Sequence, residues 1–287
     1  MNILITGSNG QLGSEIKDLS SDYSRYNFFF EDSKSLDITD LEKVKTYILK
    51  KKIQAVVNCA AYTAVDKAEI EKEKAEQVNY IGVSNLIKGI ELVEGKLIHI
   101  STDYVFNGKN VIPYKEEDNI SPINVYGKTK LKGEEEVLKS SVEAIIIRTS
   151  WLYSIYRKNF VKTILRLGKE KKELNVVYDQ IGVPTYAKDL AKVCLDIIGR
   201  NKIDKNSKIY HYSNEGVTSW YDFAKAIIEI SKIDCKVYPI DTKQYPTPAK
   251  RPSYSLLNNS KIKEDFDIKI PYWRDSLKDS IDRIKNE

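Results

Sequence analysis

The sequence predicts an α/β protein: a doubly wound parallel sheet with a smaller C-terminal α/β domain. Three observations carry this expectation. Short, almost wholly apolar runs recur through the first half, and stretches of helical period separate them. Strands apolar on both faces belong in a sheet covered on both sides, and right-handed crossovers between them give a parallel order. The chain has 287 residues, at roughly 100–200 residues per domain one large domain or two modest ones. Such a chain buries about three quarters of its unfolded surface and needs no disulfide or metal staple.

Taken in order, NILIT at 2–6 is a strand and 10–20 a helix. FFFE at 28–31 is the second strand, followed by a helix over 39–51 with apolar Leu41, Val44, Tyr47 and Ile48. AVVN at 55–58 is the third strand, 71–93 a helical region, and KLIHIS at 96–101 the fourth strand. A helix over 124–139 then precedes EAIIIR at 143–148. Beyond residue 150 the rhythm loosens. Helical stretches at 158–170, 186–199 and 218–232 alternate with LNVV, KIYHYS and KVYPI, and the proline-marked YPTPAKRP runs over 245–252. The expected division is 1–150, a dinucleotide-binding domain, and 151–287, mainly a substrate-binding domain with segments returning to the sheet.

Composition excludes several classes. Apolar residues are 41% and charged residues 30%, a globular balance that rules out disorder and fibrous repeats. The net charge of +5 is spread without a basic block, so no nucleic-acid partner is expected. Three cysteines without a CxxC and two histidines in β-like runs give neither a disulfide framework nor a metal site. No apolar run reaches about 18 residues, and a cytoplasmic protein with no membrane partner is expected.

The first chemical motif is Thr6-Gly7-Ser8-Asn9-Gly10-Gln11-Leu12-Gly13, directly after strand one and opening a helix. Its glycines allow a tight turn and let a pyrophosphate approach the free N–H groups of the helix start. An acid about 20 residues on should hold the adenosine ribose. Glu31 and Asp32 stand there, with Asp32 preferred. No arginine follows to meet a 2′-phosphate, although Lys34 is near, so the cofactor is NADH or NADPH with NADH favoured. Asp37 and Ile38 are placed beside the adenine, and Ala61, Tyr62 and Thr63 along the cofactor.

The second motif is Tyr-x-x-x-Lys, a phenol and an ammonium one helical turn apart. The ammonium favours the phenolate and brings the proton within reach of a carbonyl near neutral pH. With 19 Tyr and 46 Lys+Arg the pattern is cheap, and Tyr47/Lys51, Tyr126/Lys130 and Tyr221/Lys225 all match. Tyr126 alone opens the helix after strand four, where a parallel sheet places its ligands. Strand four itself ends in Ser101-Thr102-Asp103.

TGxxGxxG, STDYVF at 101–106 and YGKTK at 126–130 resemble the extended short-chain dehydrogenase/reductases, a Rossmann-like family. More narrowly, NCAAYTAVDKAE (58–69), SPINVYGKTKLKGE (121–134), RTSWLY (148–153), DQIGVPTYAKDLA (179–191) and YPTPAKRP resemble dTDP-4-dehydrorhamnose reductases almost end to end. That resemblance implies reduction of dTDP-4-dehydro-β-L-rhamnose to dTDP-β-L-rhamnose, the last step in making that activated sugar. It implies Tyr126 as proton donor, and Lys130 as the group that tunes it and holds the nicotinamide ribose, both lining the cofactor. Thr102, where many relatives have serine, and Asp103 would contact the sugar. Trp151 would stack on the substrate, Asp179 and Gln180 bond hydroxyls, and Arg251 meet the diphosphate. Some family members are dimers bridged by magnesium through acidic side chains. Glu15 falls at one such position, but Lys188 precedes Asp189 where its partner acid is sought; a homodimer fits the resemblance, and no metal is expected. The alternatives are a reductase of another nucleotide-linked 4-keto-6-deoxy sugar, and a non-catalytic NAD(P)-binding regulatory subunit. The intact Thr102, Tyr126 and Lys130 speak against the second.

Overall fold

The computed structural model describes residues 1–200 and 208–286. Its strands are β1 (Asn2–Thr6), β2 (Asn27–Glu31), β3 (Ala55–Asn58), β4 (Lys96–Thr102), β5 (Glu143–Thr149), β6 (Leu152–Tyr153), β7 (Glu173–Val177), β8 (Ile181–Gly182), β9 (Thr185–Tyr186), β10 (Lys208–His211), β11 (Thr218–Ser219) and β12 (Lys236–Ile240). Its helices are α1 (Gln11–Leu19), α2 (Leu41–Lys50), α3 (Val65–Ala68), α4 (Lys72–Glu76), α5 (Gly82–Glu91), α6 (Val125–Lys139), α7 (Phe160–Glu170), α8 (Ala187–Ile198), α9 (Trp220–Ser231), α10 (Ser260–Phe266) and α11 (Trp273–Lys285). None of the described helices is long and apolar enough to cross a membrane.

Six strands form one parallel sheet in the order β10-β5-β4-β3-β1-β2. The chain winds outward from β1 in one direction and returns past it to β3, so the order reverses between β1 and β3. All carboxyl ends lie along one edge, and the crevice at that reversal is where such sheets bind ligands. Side chains alternate between two cores with the strand period of two. Ile3, Ile5, Val57, Ile98, Ile145 and Ile147 pack under α1, α8 and α10. Leu4, Val56, Leu97 and Ile146 pack under α2, α5 and α6.

The second half builds a separate apolar cluster from α7, α9, α11 and the parallel pair β7–β12, around Phe223, Ile227, Trp273 and Leu277. It also sends β10 into the main sheet beside β5 and α8 onto the face of α1. Three features depart from the sequence expectation. The 71–93 helix carries a π turn at Gln77–Ile81. The short α3 precedes it. Helices α10 and α11 close the chain, their few apolar residues diluted by charge.

Candidate active site

At the carboxyl end of β1 the chain turns through Gly7, whose φ is +61°; a Cβ there would lie 2.7 Å from the Ala60 backbone. Conformation and space both demand glycine, and the result sets the β1–α1 loop directly against the loop leaving β3. Gly10 is the N-cap of α1, with no side-chain cap and no acid in the first turn. The N–H groups of Gln11, Leu12 and Gly13 and the helix dipole are therefore without a competing side-chain acceptor or acid, an arrangement that favours an anion. Leu12 itself is buried in the core. The Gln11 amide donates to the Leu152 carbonyl and accepts from Asn159, binding this loop to the 152–159 segment.

Asp32, just beyond β2, meets the same loop. Its carboxylate accepts from Asn9, from the Lys34 N–H (2.9 Å) and from the Ser35 N–H (3.1 Å). These bonds hold its carboxyl below the usual range, so it is anionic at neutral pH. The Arg157 guanidinium donates to the Asn9 carbonyl. Sequence reading missed this arginine, since the fold carries it there from beyond β6. Asp37 stays apart from this cluster, its carboxylate closing a turn with Thr39. The Ile38 side chain is in the core against Gly82.

Ala61, Tyr62 and Thr63 follow β3 at the carboxyl edge of the sheet. The buried Asn79, in the π turn, accepts from the Tyr62 N–H (2.9 Å) and donates to the Tyr62 carbonyl and to Thr129 Oγ1 (3.2 and 3.1 Å). Thr129 donates in turn to the carbonyl of Tyr126 (2.9 Å). One amide thus fixes the loop after β3 to helix α6. No spacing in the sequence signals it, because its partners Tyr62 and Thr129 lie 17 and 50 residues away.

Helix α6 starts at an Asn124 cap that accepts from the Gly127 N–H (2.8 Å). A Cβ at Gly127 would lie 2.2 Å from the Tyr104 carbonyl oxygen. Glycine therefore lets the first turn of α6 rest on the 103–105 turn after β4. This contact places Tyr126 beside Thr102 and Asp103 and packs its ring edge-on against Tyr104, centroids 5.6 Å apart. Thr102 donates to Asp103 Oδ1 (2.9 Å), while the buried Asp103 Oδ2 has no partner. Burial pushes the Asp103 carboxyl up to about 7, against the pull of Thr102 and Ser255.

The Tyr126 phenol is pushed above its ordinary value, first by burial and further by Asp103 and Tyr104, with Thr102 pulling the other way. The lysine one turn on does not reverse this. Lys130 is buried and points its Nζ at the Ile100 carbonyl (2.6 Å) and His99 Nε2 (3.4 Å). Burial lowers Lys130 to about 8, with Glu134 opposing. Glu134 is spent on a fully buried Arg148 (2.7 Å) and on the Ser101 hydroxyl (2.5 Å), which registers α6 against β4 and β5. The other two matches to the pattern lie elsewhere: Tyr47 bonds Glu31, and Tyr221 sits on α9 beneath its own Lys225.

On the facing side, Trp151 takes a positive φ of 47° and stacks on Trp220 at 3.6 Å. The 181–182 strand lies beside 253–255: the Ile181 N–H donates to the Ser253 carbonyl and the Ser255 N–H to the Ile181 carbonyl (both 2.8 Å), so that Ser255 meets Asp103 while Gly182 lies against Ser255 and Trp151. Arg251 donates to Asp66 (2.7 Å) and to the Tyr104 hydroxyl (3.1 Å), one residue from Asp103. Asp179 and Gln180 are engaged by Thr242. Glu15 is buried, its oxygens taken by Ser154 (2.6 Å) and Arg283 (2.8 Å). Among the described residues no cluster of three or more His, Cys, Asp or Glu side chains is grouped to hold a metal ion.

A glycine turn at the head of α1, an acid at the end of β2, and a Thr–Tyr–Lys set beside the reversal of a parallel sheet define a dehydrogenase/reductase of the short-chain type. The chain belongs to the dTDP-4-dehydrorhamnose reductase family. Residues 1–286 match the family of the RmlD substrate binding domain. A dTDP-4-dehydrorhamnose reductase of Aggregatibacter actinomycetemcomitans is 43% identical, over 96% of this chain and 97% of its own. A crystal structure of a dTDP-4-dehydrorhamnose reductase from Clostridium acetobutylicum superimposes with a TM-score of 0.93 at 44% identity, covering 99% of this chain and 100% of the other. One from Bacillus anthracis, in complex with NADP, gives 0.93 at 38% identity, covering 98% and 99%.

Proposed function

We infer that the protein reduces the C4 carbonyl of dTDP-4-dehydro-β-L-rhamnose to give dTDP-β-L-rhamnose. The observation that carries this reading is the contact of the first turn of α6 with the 103–105 turn, which sets a protonated Tyr126 beside Thr102 and Asp103. The loop at Gly7–Gly13 fits a dinucleotide: its uncapped N–H groups suit a pyrophosphate, and Asp32 suits ribose hydroxyls. When bound, a reduced nicotinamide supplies a hydride.

The chain's own residues do the rest. Tyr126 gives its proton to the carbonyl oxygen as charge develops there, and its raised pKa keeps that proton in place until it is needed. Thr102, on releasing Asp103 Oδ1, would donate to the same oxygen, and its contact with Tyr126 tunes the phenol; Asp103 offers its unpartnered Oδ2 to a sugar hydroxyl. Lys130 holds the nicotinamide ribose. Trp151, backed by Trp220, forms an apolar wall, and Arg251, held by Asp66, meets the diphosphate. Asp179 and Gln180 would bond hydroxyls after releasing Thr242.

Asp32 disfavours a 2′-phosphate and NADH is preferred, but Arg157 and Lys34 near the same corner keep NADPH usable. We place the enzyme in the cytoplasm, because Cys59, Cys194 and Cys235 are all unpaired, as in a reducing compartment.

The test is turnover. Purified protein should consume NADH when dTDP-4-dehydro-β-L-rhamnose is made in situ, with dTDP-rhamnose appearing by chromatography, and more slowly with NADPH. Tyr126→Phe should lose about two to four orders of magnitude in kcat and keep its cofactor affinity. Cofactor binding without any turnover would favour a regulatory subunit.

A further inference from the structure

Beneath the site, four side chains form a buried chain from β1 to α6: Thr6, Asn58, His99 and Lys130. Thr6 Oγ1 donates to Asn58 Oδ1 (2.7 Å), and the Ala60 backbone N–H donates to the same oxygen (3.2 Å). A backbone N–H cannot turn into an acceptor, so the Asn58 amide is held in one orientation. Its Nδ2 therefore donates to His99 Nδ1 (3.0 Å). A neutral imidazole that accepts at Nδ1 carries its hydrogen on Nε2. That nitrogen lies 3.4 Å from Lys130 Nζ, which itself donates to the Ile100 carbonyl at 2.6 Å.

We propose that His99 is a positioning residue: locked by Asn58, it presents an N–H rather than a lone pair to Lys130, and so disfavours the ammonium form in the cofactor-free site. Two facing N–H groups repel, whereas an amine can accept from His99 Nε2 and donate to Ile100. The other titratable groups facing Lys130 are Glu134 on its own helix and Cys59 beyond β3, and both favour the ammonium. Glu134 is already shared with Arg148 and Ser101, and burial keeps Cys59 a neutral thiol. Burial likewise keeps His99 neutral, and Lys130 adds to this. The consequence is that Lys130 loses its proton near pH 8 and that activity falls above it. The inference rests on the reading of Lys130 as the lysine that holds the cofactor ribose.

The protein's two histidines make the test direct. His211 faces the Tyr114 carbonyl with Nδ1 (3.0 Å) and the Arg148 guanidinium with Nε2 (3.5 Å), so it is the opposite tautomer. Nitrogen-15 spectra should show one Nε2–H and one Nδ1–H histidine. Asn58→Asp keeps the oxygen that serves Thr6 and Ala60 but turns the donor toward His99 into an acceptor. His99 should then switch to Nδ1–H and offer Lys130 a lone pair. The alkaline limb of kcat/KM should rise by a pH unit or more, a relative gain of about fivefold or more at pH 9. The pH at which the His99 nitrogens sense loss of the Lys130 proton should rise equally, a readout that needs no turnover. Two Nδ1–H histidines in the native protein would overturn the proposal, whatever Asn58→Asp does. So would a tautomer switch that leaves the limb and the titration unmoved. Absence of turnover would refute the enzymatic reading instead, with the spectra still deciding the tautomer.

Discussion

Asp103 shows what one residue costs and supplies. Its carboxyl is 2% exposed, bonded on one oxygen by Thr102 and unpartnered on the other. A group left in this state is a place where a fold gives up stability for function. Its folded pKa of about 7 lies above the ordinary 3.8. The folded protein thus binds a proton more tightly than the unfolded chain between those values. The linked stabilisation is complete below about pH 4 and is lost as pH rises through 7. Asp103→Asn should therefore gain stability over the native protein progressively from pH 4 to pH 8. The upper bound is about 4 kcal/mol at the alkaline end. Turnover should fall, because the sugar loses its acceptor. Thermal melts of both proteins across this range provide the check; a difference that does not grow with pH would contradict the burial reading.

At the scale of elements, the sheet was legible because its strands are written as unbroken apolar runs. NILIT, AVVN and KLIHIS are mostly apolar on both faces, as a sheet covered on both sides requires. Tyr126 was legible because its helix follows the strand that ends in Ser101-Thr102-Asp103. What was not legible lies in pairings across distance. Asn79 joins two loops from inside a helix, Arg148 finds Glu134 beneath the site, and Arg157 reaches Asn9. None of these leaves a periodic trace. Spacing likewise gives only the helical face of Lys130, while its bond to the Ile100 carbonyl decides where its nitrogen points. Gly127 shows how such a contact is made. Alanine in a helix interior is favoured over glycine by about 1 kcal/mol, so a free surface would make Gly127→Ala stabilising. Here the new Cβ would meet the Tyr104 oxygen at 2.2 Å and Pro122 at 3.1 Å. The variant should lose about 1–3 kcal/mol through overpacking. Turnover should drop by about 100-fold as Tyr126 is displaced, with NADH affinity kept. A raised melting temperature would show that α6 does not rest on the 103–105 turn.

For the whole molecule, the question is whether residues 1–150 make a domain in their own right. They contain the glycine loop, Asp32, Thr102, Tyr126 and Lys130, and five of the six sheet strands. They lack both elements that finish the layers. Without β10 the β5 edge presents a row of unpaired N–H and C=O groups, and it is an Ile-rich edge suited to aggregation. Without α8, one face of the sheet keeps only α1 as cover: Leu190, Val193, Leu195, Ile197 and Ile198, all buried, pack there against Ile3, Ile5, Leu12 and Ile16. At about 1.5–3 kcal/mol for each buried aliphatic side chain, these five supply on the order of 10 kcal/mol. That equals the whole net stability of a typical domain, about 5–15 kcal/mol. At the other end of the chain, α11 sends Arg283 to the buried Glu15 and to Asp18 of α1, so removing it strands a buried carboxylate at a cost of about 3–5 kcal/mol. The 1–150 fragment should therefore not fold alone, and the intact chain should unfold as one unit. Calorimetry should give a single transition whose measured and van't Hoff enthalpies agree, and the fragment should show no cooperative melt by circular dichroism. A fragment that melts cooperatively and binds NADH would make the boundary at residue 150 a true domain border, and would reduce α8, β10 and α11 to accessories.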